Sequence, residues 1–296
     1  MLVGNCVSSI VYLLFALTVW IFFVHSRFYT KYHYVFLTAA VLYYPTIFGI
    51  RYLLKDSAPY DLGGAPTTVR DIHGTALHKK PSTARINYIF FWELGLALFS
   101  VAGAYNVVPL ALESLASTNT LTEAICLPQI QNDPRAWWIF VFQVSKLFEF
   151  GDTLFVVLRK KNLILLQHYH HLATFLYCWW GALNVMGLNN TNPFFAAMNL
   201  VVHSFMYTWY AATRTGWRSP KWMMMAVTLI QLVQMVLGVI IVLIAQTDVP
   251  ECRWSKGDPW GAKAATFMYV SYLLLFGKLF YDNYIKAPLK KKERKD

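Results

Sequence analysis

The chain has 296 residues, of which 57% are hydrophobic and only 14% are charged, and its formal net charge is +11. Soluble domains contain about 45–50% apolar and about 25% charged residues, so this composition argues against a soluble protein. The basic residues lie in separate loops between apolar runs, which argues against nucleic acid as a partner and favours anionic ligands or lipid headgroups.

Eight apolar segments follow one another along the chain. A helix needs about 20 apolar residues to cross the hydrocarbon layer. Lipid offers no partner for bare backbone groups, so each segment is predicted to be helical. Strand-type alternation over about ten residues, as in transmembrane barrels, is not seen in the sequence. The segments cover about residues 7–25, 33–54, 86–108, 136–158, 163–183, 192–213, 221–246 and 262–285.

These segments predict an all-α, polytopic membrane bundle with up to eight transmembrane helices. We divide the chain into an N-terminal apolar segment (1–33), a membrane domain (34–286) and a basic tail (287–296). The first segment lacks the positively charged start of a signal peptide, which favours a span over a cleaved leader. The polar linker from Lys55 to Arg85, rich in Pro, Gly and Thr, is predicted to be a flexible loop.

Orientation follows from the distribution of Lys and Arg. The tail and one set of loops hold 17 of these residues and the opposite loops hold 5, so the C-terminus is predicted to be cytoplasmic. The sequon at Asn189 then falls in a luminal loop, where it can be glycosylated. Cys126 and Cys252 also fall in luminal loops and are predicted to pair, although two free thiols remain the alternative.

Four segments carry polar side chains at helical spacing, inside runs that are otherwise apolar. Ionisable groups are costly in a membrane helix and tend to mark functional sites. The alternatives are a charge-neutralising cluster near the interface and ordinary interhelical hydrogen bonding. The fourth segment carries Lys146, Glu149 and Asp152; the fifth carries Gln167, His168, His170, His171 and Thr174; the sixth carries Asn199, His203, Met206, Tyr207 and Tyr210; the seventh carries Thr228, Gln231 and Gln234.

Since none of these polar stripes can face lipid, they are predicted to converge on one chamber. A polar chamber in an apolar bundle suits a ligand with a reactive head and a long apolar tail. Neutral imidazole titrates near neutral pH and can accept a proton, donate one or carry an acyl group, which fits acyl transfer from a thioester. Lys146 and the basic loops would then suit the phosphates of coenzyme A (CoA).

Two other functional interpretations of the sequence remain open. A di-iron desaturase would use paired histidines as ligands, but only His168, His170, His171 and His203 belong to the array, so no metal site is predicted. A transporter or receptor would need a water-accessible path or a ligand response, and the histidine-rich stripes argue against it.

The chain resembles the ELO family of fatty-acid elongases over about residues 34–286. The resemblance rests on four ordered motifs. They are Lys146-Leu-Phe-Glu149-Phe-Gly-Asp152-Thr153, the box ending Tyr169-His170-His171, Asn199-Leu-Val-Val-His203-Ser-Phe-Met206-Tyr207-Thr-Trp-Tyr210, and Thr228-Leu-Ile-Gln231-Leu-Val-Gln234.

The resemblance implies a bundle of seven helices around an acyl tunnel and a 3-oxoacyl-CoA synthase of the endoplasmic reticulum. The reaction would condense acyl-CoA with malonyl-CoA and release carbon dioxide and CoA. His170 matches the position that carries the acyl group, His171 and His203 match residues of the same site, and Cys126 with Cys252 matches a family disulfide. No bound cofactor is implied. A ketoreductase, a dehydratase and an enoyl reductase would complete the cycle, and a homodimer is compatible with the sequence.

Two features depart from the family pattern. Gln167 stands where the histidine box usually begins, and an amide can hydrogen-bond but cannot titrate, so we expect it to orient the substrate. The apolar segment before residue 26 is additional. The basic tail has an imperfect match to a dilysine retrieval signal, and acyl length and unsaturation cannot be read from the sequence.

Overall fold

The structure is a computed structural model that describes residues 31–63, 67–70, 76–80, 87–126, 133–185, 191–247, 252 and 259–286. Its helices, numbered in chain order, are α1 (Lys31–Leu53), α2 (Tyr88–Ala116), α3 (Leu121–Cys126), α4 (Trp137–Phe148), α5 (Phe150–Leu158), α6 (Leu165–Val185), α7 (Thr191–Arg214), α8 (Lys221–Ala245) and α9 (Pro259–Phe280). A 3-10 turn, Pro134–Ala136, precedes α4, and a π-helical turn, Tyr281–Lys286, follows α9.

The prediction of a polytopic helical bundle is confirmed. Within the described residues, α1, α2, α8 and the rod Trp260–Lys286 are each long and apolar enough to cross a membrane by themselves. Three of the four polar stripes lie on the other long rods, which are α4 with α5, α6 and α7, and the fourth lies on α8. The predicted segment at 7–25, the sequon residue Asn189 and the tail 287–296 lie outside the described residues, so the division into domains stays a prediction.

Two predictions about secondary structure were wrong. Helix α2 continues to Ala116 through Pro109, because Val107 and Leu110 on either side are almost fully buried and their packing outweighs the hydrogen bond that proline lacks. The linker predicted to be a loop contains two antiparallel strands, β1 (Thr67–Arg70) and β2 (Ala76–Lys80). The β-branched run at Thr67–Val69 favours a strand.

Helices α2 and α7 form a close antiparallel pair. A Cβ added at Gly103 would lie 2.8 Å from a methyl group of Leu200, so glycine allows the two backbones to approach. Asn87 joins the ends of the pair, since its side chain accepts a hydrogen bond from the Phe90 amide and donates one to the Arg214 carbonyl at 3.1 Å. These contacts hold α2 and α7 side by side as one wall of the bundle.

One end of the bundle, here called the disulfide side, is held by the bond between Cys126 and Cys252, whose Cα atoms are 4.7 Å apart. The Arg135 guanidinium contacts Glu113 and Asp133 at this end, at 2.6 and 2.5 Å. The opposite end carries the 159–164 connection, the end of α7 and the start of α8, and is here called the basic side. The functional residues lie between these two ends.

Candidate active site

Two adjacent cavities occupy the interior of the bundle. The first has a volume of about 290 Å³ and extends to Arg159, Lys161 and Arg214 on the basic side. The second is smaller, about 50 Å³, and reaches Gly181 and Asn192 toward the disulfide side. Four residues line both cavities, His170, Asn199, Gln234 and Met235. Together the cavities form a chamber that runs along α6 and α7, with His170 at the junction.

Most of the side chains predicted for the site line this chamber. They are Asp152, Gln167, His170, His171, Asn199, His203, Met206, Tyr207, Tyr210, Gln231 and Gln234. They come from α5, α6, α7 and α8, whose polar stripes therefore converge. The Gln231 amide donates to the sulfur of Met206 at 3.1 Å, which links α8 to α7 across the wall.

An ion pair lies directly behind the wall of the first cavity. The Lys146 ammonium donates to Glu149 Oε1 at 2.6 Å and to Asn199 Oδ1 at 2.8 Å, and the Lys146 and Glu149 side chains are only 2% and 4% exposed. Neither residue lines the chamber itself among the described residues. The pair therefore holds chamber residues in place from behind.

The ion pair fixes the tautomer of His203. Since an ammonium can only donate, Lys146 determines that the amide oxygen of Asn199 faces it, and the amide nitrogen faces His203 Nε2 at 3.3 Å. That amide nitrogen can only donate, so Nε2 accepts. A neutral His203 then carries its proton on Nδ1, which lies 3.6 Å from Glu149 Oε1. In the neutral form of His203, the buried charges therefore set which ring nitrogen accepts and which donates.

His171 is held by a chain of hydroxyl groups. Its Nδ1 lies 3.3 Å from Thr153 Oγ1, and that oxygen lies 2.9 Å from the Tyr43 hydroxyl of α1. Thr153 has no exposed surface. This series of hydrogen-bonding groups runs from the chamber wall to α1, and it can orient the His171 ring or relay a proton.

His170 differs from its neighbours. Its Nδ1 is buried and has no hydrogen-bond partner among the described residues. The Tyr272 ring lies 4.5 Å from the His170 ring, and the Tyr272 hydroxyl donates to the His170 carbonyl at 3.1 Å and contacts Thr174 Oγ1 at 2.8 Å. The backbone around this residue is therefore fixed, while its Nδ1 forms no hydrogen bond with the described part of the chain.

The Asp152 carboxylate is held by neutral donors on two other helices. Trp92 Nε1 donates to one oxygen at 2.7 Å, and the Tyr207 hydroxyl donates to the other at 2.6 Å. A Cβ at Gly151 would collide with the Trp92 ring, so glycine makes room for this contact. The arrangement joins α2, α5 and α7 at the wall of the first cavity.

Several charged side chains lie at the basic side of the first cavity. Arg214 forms a two-pronged ion pair with Glu93, with the shortest contact at 2.6 Å. Lys161 is exposed at the same opening. Partial desolvation by the surrounding walls, together with repulsion from Arg159 and Arg214, lowers the pKa of Lys161 to about 8. Such an opening attracts an anion.

Two predicted site residues lie away from the chamber. His168 contacts α1, with its Nδ1 3.4 Å from the Tyr44 hydroxyl and its ring edge-on to Phe48. Thr228 bonds to the Met224 carbonyl and to Tyr284 instead. Neither lines either cavity. Across the described residues, no three His, Cys, Asp or Glu side chains are grouped so as to hold a metal.

Several side chains that contact the site were not predicted from the sequence. Glu93 was detectable, because it is an ionisable residue inside an apolar segment, which is the same signal that marked Lys146. Trp92, Tyr43 and Tyr272 gave no signal, since aromatic residues are common in membrane helices. Their roles depend on contacts with other helices.

Fold and site together define a polytopic membrane protein with a histidine-lined internal chamber. The sequence profile of the GNS1/SUR4 (ELO) family matches residues 28–292. Very long chain fatty acid elongase 6 of Rattus norvegicus is 32% identical over 252 residues, 83% of this chain and 83% of that relative. Long chain fatty acid elongase 1 of Caenorhabditis elegans is 28% identical over 264 residues, 88% of this chain and 81% of that relative. The chain belongs to the GNS1/SUR4 family of fatty acid elongases.

Proposed function

We propose that this protein condenses a fatty acyl-CoA with malonyl-CoA through an acyl group carried on His170. First, the imidazole displaces the CoA thiolate from the acyl carbonyl, and the ring proton passes to the departing thiolate, giving CoA. Malonyl-CoA then loses carbon dioxide, and the resulting enolate attacks the acyl-imidazole. The product is 3-oxoacyl-CoA, and the released imidazole regains a proton from solvent.

The observation that carries this proposal is the position of His170, which lines both cavities at their junction and whose buried Nδ1 has no hydrogen-bond partner among the described residues. A nucleophile needs a lone pair that no neighbour occupies, and an acyl-imidazole survives only where water is scarce. The second cavity, lined largely by apolar and aromatic side chains, gives the first carbons of the acyl chain an apolar surface beyond the carbonyl.

The buried ion pair suits the second half-reaction. The enolate develops negative charge on the thioester oxygen, and donors that are already oriented stabilise such charge without reorganisation. His203 and Asn199 line the chamber, and the Lys146–Glu149 ion pair directly behind them fixes the direction of their hydrogen bonds. We assign His203 the role of stabilising the enolate or handling its proton.

The basic opening suits CoA. Arg159, Lys161 and Arg214 meet where a CoA phosphate group would enter from solvent, and guanidinium groups pair well with phosphate oxygens. The excess of basic residues on this side supports a cytoplasmic orientation. We place the protein in the endoplasmic reticulum, with the disulfide side luminal, and the 3-oxo product would pass to a ketoreductase, a dehydratase and an enoyl reductase.

The test uses the purified full-length protein in detergent. With labelled acyl-CoA alone, we expect CoA release equal to the amount of enzyme and a mass increase on the peptide containing His170. Malonyl-CoA should then discharge the label as 3-oxoacyl-CoA with release of carbon dioxide.

His168→Gln is the matched control for His170→Gln, because the two histidines share one helix and only His170 lines the chamber. His170→Gln should abolish both the mass increase and the product, whereas His168→Gln should keep both. If His170→Gln condenses at the wild-type rate, the acyl-carrier assignment is wrong.

A further inference from the structure

Gln234, on α8, lines both cavities at their junction and has an amide group that no neighbour engages. The Asn199 amide at the same junction is used at both ends. Its oxygen accepts a hydrogen bond from Lys146 at 2.8 Å, and its nitrogen lies 3.3 Å from His203 Nε2. Among the described residues that line both cavities, Gln234 is therefore the neutral donor that remains available.

The Gln234 side chain is buried but still reaches a cavity surface. The residue is only 5% exposed, and its amide forms no hydrogen bond with the described part of the chain. Its nitrogen and oxygen are also absent from the unpartnered polar atoms that the described residues seal away from any accessible surface. Since Gln234 lines both cavities, its accessible amide faces the space where they meet.

Stability alone does not explain an amide at this position. A buried polar group without a partner is destabilising, whereas an apolar side chain of the same shape is nearly neutral or stabilising. Gln231, on the same helix, shows the usual situation, because its amide donates to the sulfur of Met206 at 3.1 Å. Most buried polar groups in proteins are satisfied in this way. Gln234 therefore favours a ligand that completes its hydrogen bonds.

In the proposed reaction, the group that reaches this junction is the carbonyl of the acyl thioester. CoA enters through the basic opening of the first cavity, and the first carbons of the acyl chain contact the second cavity. The thioester that joins them then lies where the cavities meet, beside His170 and Gln234. A donor that is already oriented toward the carbonyl oxygen stabilises the negative charge that develops there during attack.

We propose that the Gln234 amide donates a hydrogen bond to the acyl carbonyl oxygen and stabilises the oxyanion that forms when His170 attacks. The ring nitrogen bonds to the carbonyl carbon as the C=O electron pair moves onto oxygen. The pair then returns, the C–S bond breaks, and the departing thiolate takes the ring proton.

This inference rests on the proposed condensation function and makes Gln234 a catalytic residue of its first half-reaction. His203 has a separate place. Among the described residues, it lines the first cavity but not the second, which suits its role with the enolate derived from malonyl-CoA.

The first experiment compares Gln234→Met with the wild type, because methionine has a similar shape but no N–H donor. With labelled acyl-CoA alone, the single-turnover rate of CoA release should fall about 100-fold or more, which is the effect of removing one oxyanion donor. The acyl-CoA concentration that gives half the maximal rate should change far less. The denaturant midpoint of unfolding should not fall, since the amide has no protein partner to lose.

Gln246→Met is the matched control, because Gln246 is an amide at the end of the same helix and lines neither cavity. Its nitrogen donates to the Val242 carbonyl at 3.0 Å and to Thr266 Oγ1 at 2.7 Å. This variant should keep the rate of CoA release and lower the unfolding midpoint. If Gln234→Met releases CoA at the wild-type rate, or loses stability together with activity, the proposal is overturned.

A second measurement reads carbonyl binding without turnover, and so separates this inference from the acyl-histidine step. In a His170→Ala background, an acyl-CoA is compared with an S-alkyl-CoA thioether of equal chain length, which lacks the carbonyl. The acyl-CoA should bind about two- to tenfold more tightly, the effect of one neutral hydrogen bond. Adding Gln234→Met should abolish this preference, and adding Gln246→Met should not.

An undiminished preference in the Gln234→Met protein would refute the role of Gln234, even if His170 carries the acyl group. Loss of the preference, in a protein whose wild type never acquires the acyl mass on the His170 peptide, would support carbonyl binding by Gln234 and refute the acyl-histidine step alone.

Discussion

The buried pair between Lys146 and Glu149 provides the sharpest test of how the chamber is held together. Glu149→Gln removes the negative charge beside the ammonium, whose other neighbours among the described residues are Asn199 and the Phe142 ring, 4.2 Å from Nζ. Lys146→Met leaves the carboxylate without its cation. Removing one partner of a buried pair costs about 3–5 kcal/mol, because the remaining charge is uncompensated. Each single variant should lose about that much free energy of unfolding.

The double variant should behave differently. With both charges absent, no uncompensated charge remains at these two positions, so the free energy of unfolding should return to within about 2 kcal/mol of the wild type. The coupling energy between the two positions should then be about 3 kcal/mol or more, far above the value for exposed pairs. Condensation should stay low in all three variants, since Asn199 and His203 lose the charges that orient them.

The assay is a double-mutant cycle measured by reversible denaturant unfolding in detergent micelles and followed by far-UV circular dichroism. Lys278 and Asp282 give the matched control, because their side chains are in contact but 70% and 37% exposed. Their coupling should be below about 0.5 kcal/mol. A coupling of less than about 1 kcal/mol for the buried pair would refute the reasoning, since it would mean that water reaches these charges freely.

Three other predictions concern the opening, the wall and the disulfide side. Because the pKa of Lys161 is lowered to about 8, its side chain loses the positive charge as pH rises through 8. KM for acyl-CoA should then rise about two- to fivefold between pH 7 and pH 9, which is the effect of losing one exposed ion pair. Gly151→Ala should push Trp92 out of the first cavity wall and lower kcat/KM about tenfold or more in steady-state assays. Cys252→Ser should lower the free energy of unfolding by about 2–4 kcal/mol, because its bond to Cys126 closes a loop with a sequence separation of 126 residues.

Each of these three has its own control. Lys161→Arg keeps a positive charge above pH 8, so its KM should not rise with pH; an identical rise would assign the effect to another group. Gly95→Ala should be neutral, since an added Cβ at Gly95 meets nothing within 4 Å. Cys178→Ser should leave the unfolding free energy within about 1 kcal/mol of the wild type, as expected for a free thiol.

Much of the site could be predicted because helical periodicity fixes which side chains share a face. His170, His171 and Asn199 belong to stripes in the sequence, and in the structure they line one chamber. His168 shows the limit of the same reasoning. It is next to Gln167 in sequence, but a rotation of about 100° per residue turns it toward α1, and only the position of α1 decides that this direction leads away from the chamber.

The sequence by itself determined the class of the protein. Long apolar runs require helices in lipid, and polar stripes within them require a protected interior, so a polytopic bundle with an internal site follows from the residues alone. Tertiary structure decided which charges face the chamber and which lie behind it, as with Lys146 and Glu149. It also brought Tyr43 to Thr153 and Tyr272 to His170 across more than 100 residues. Such contacts depend on which helices become neighbours, and local periodicity carries no information about that choice.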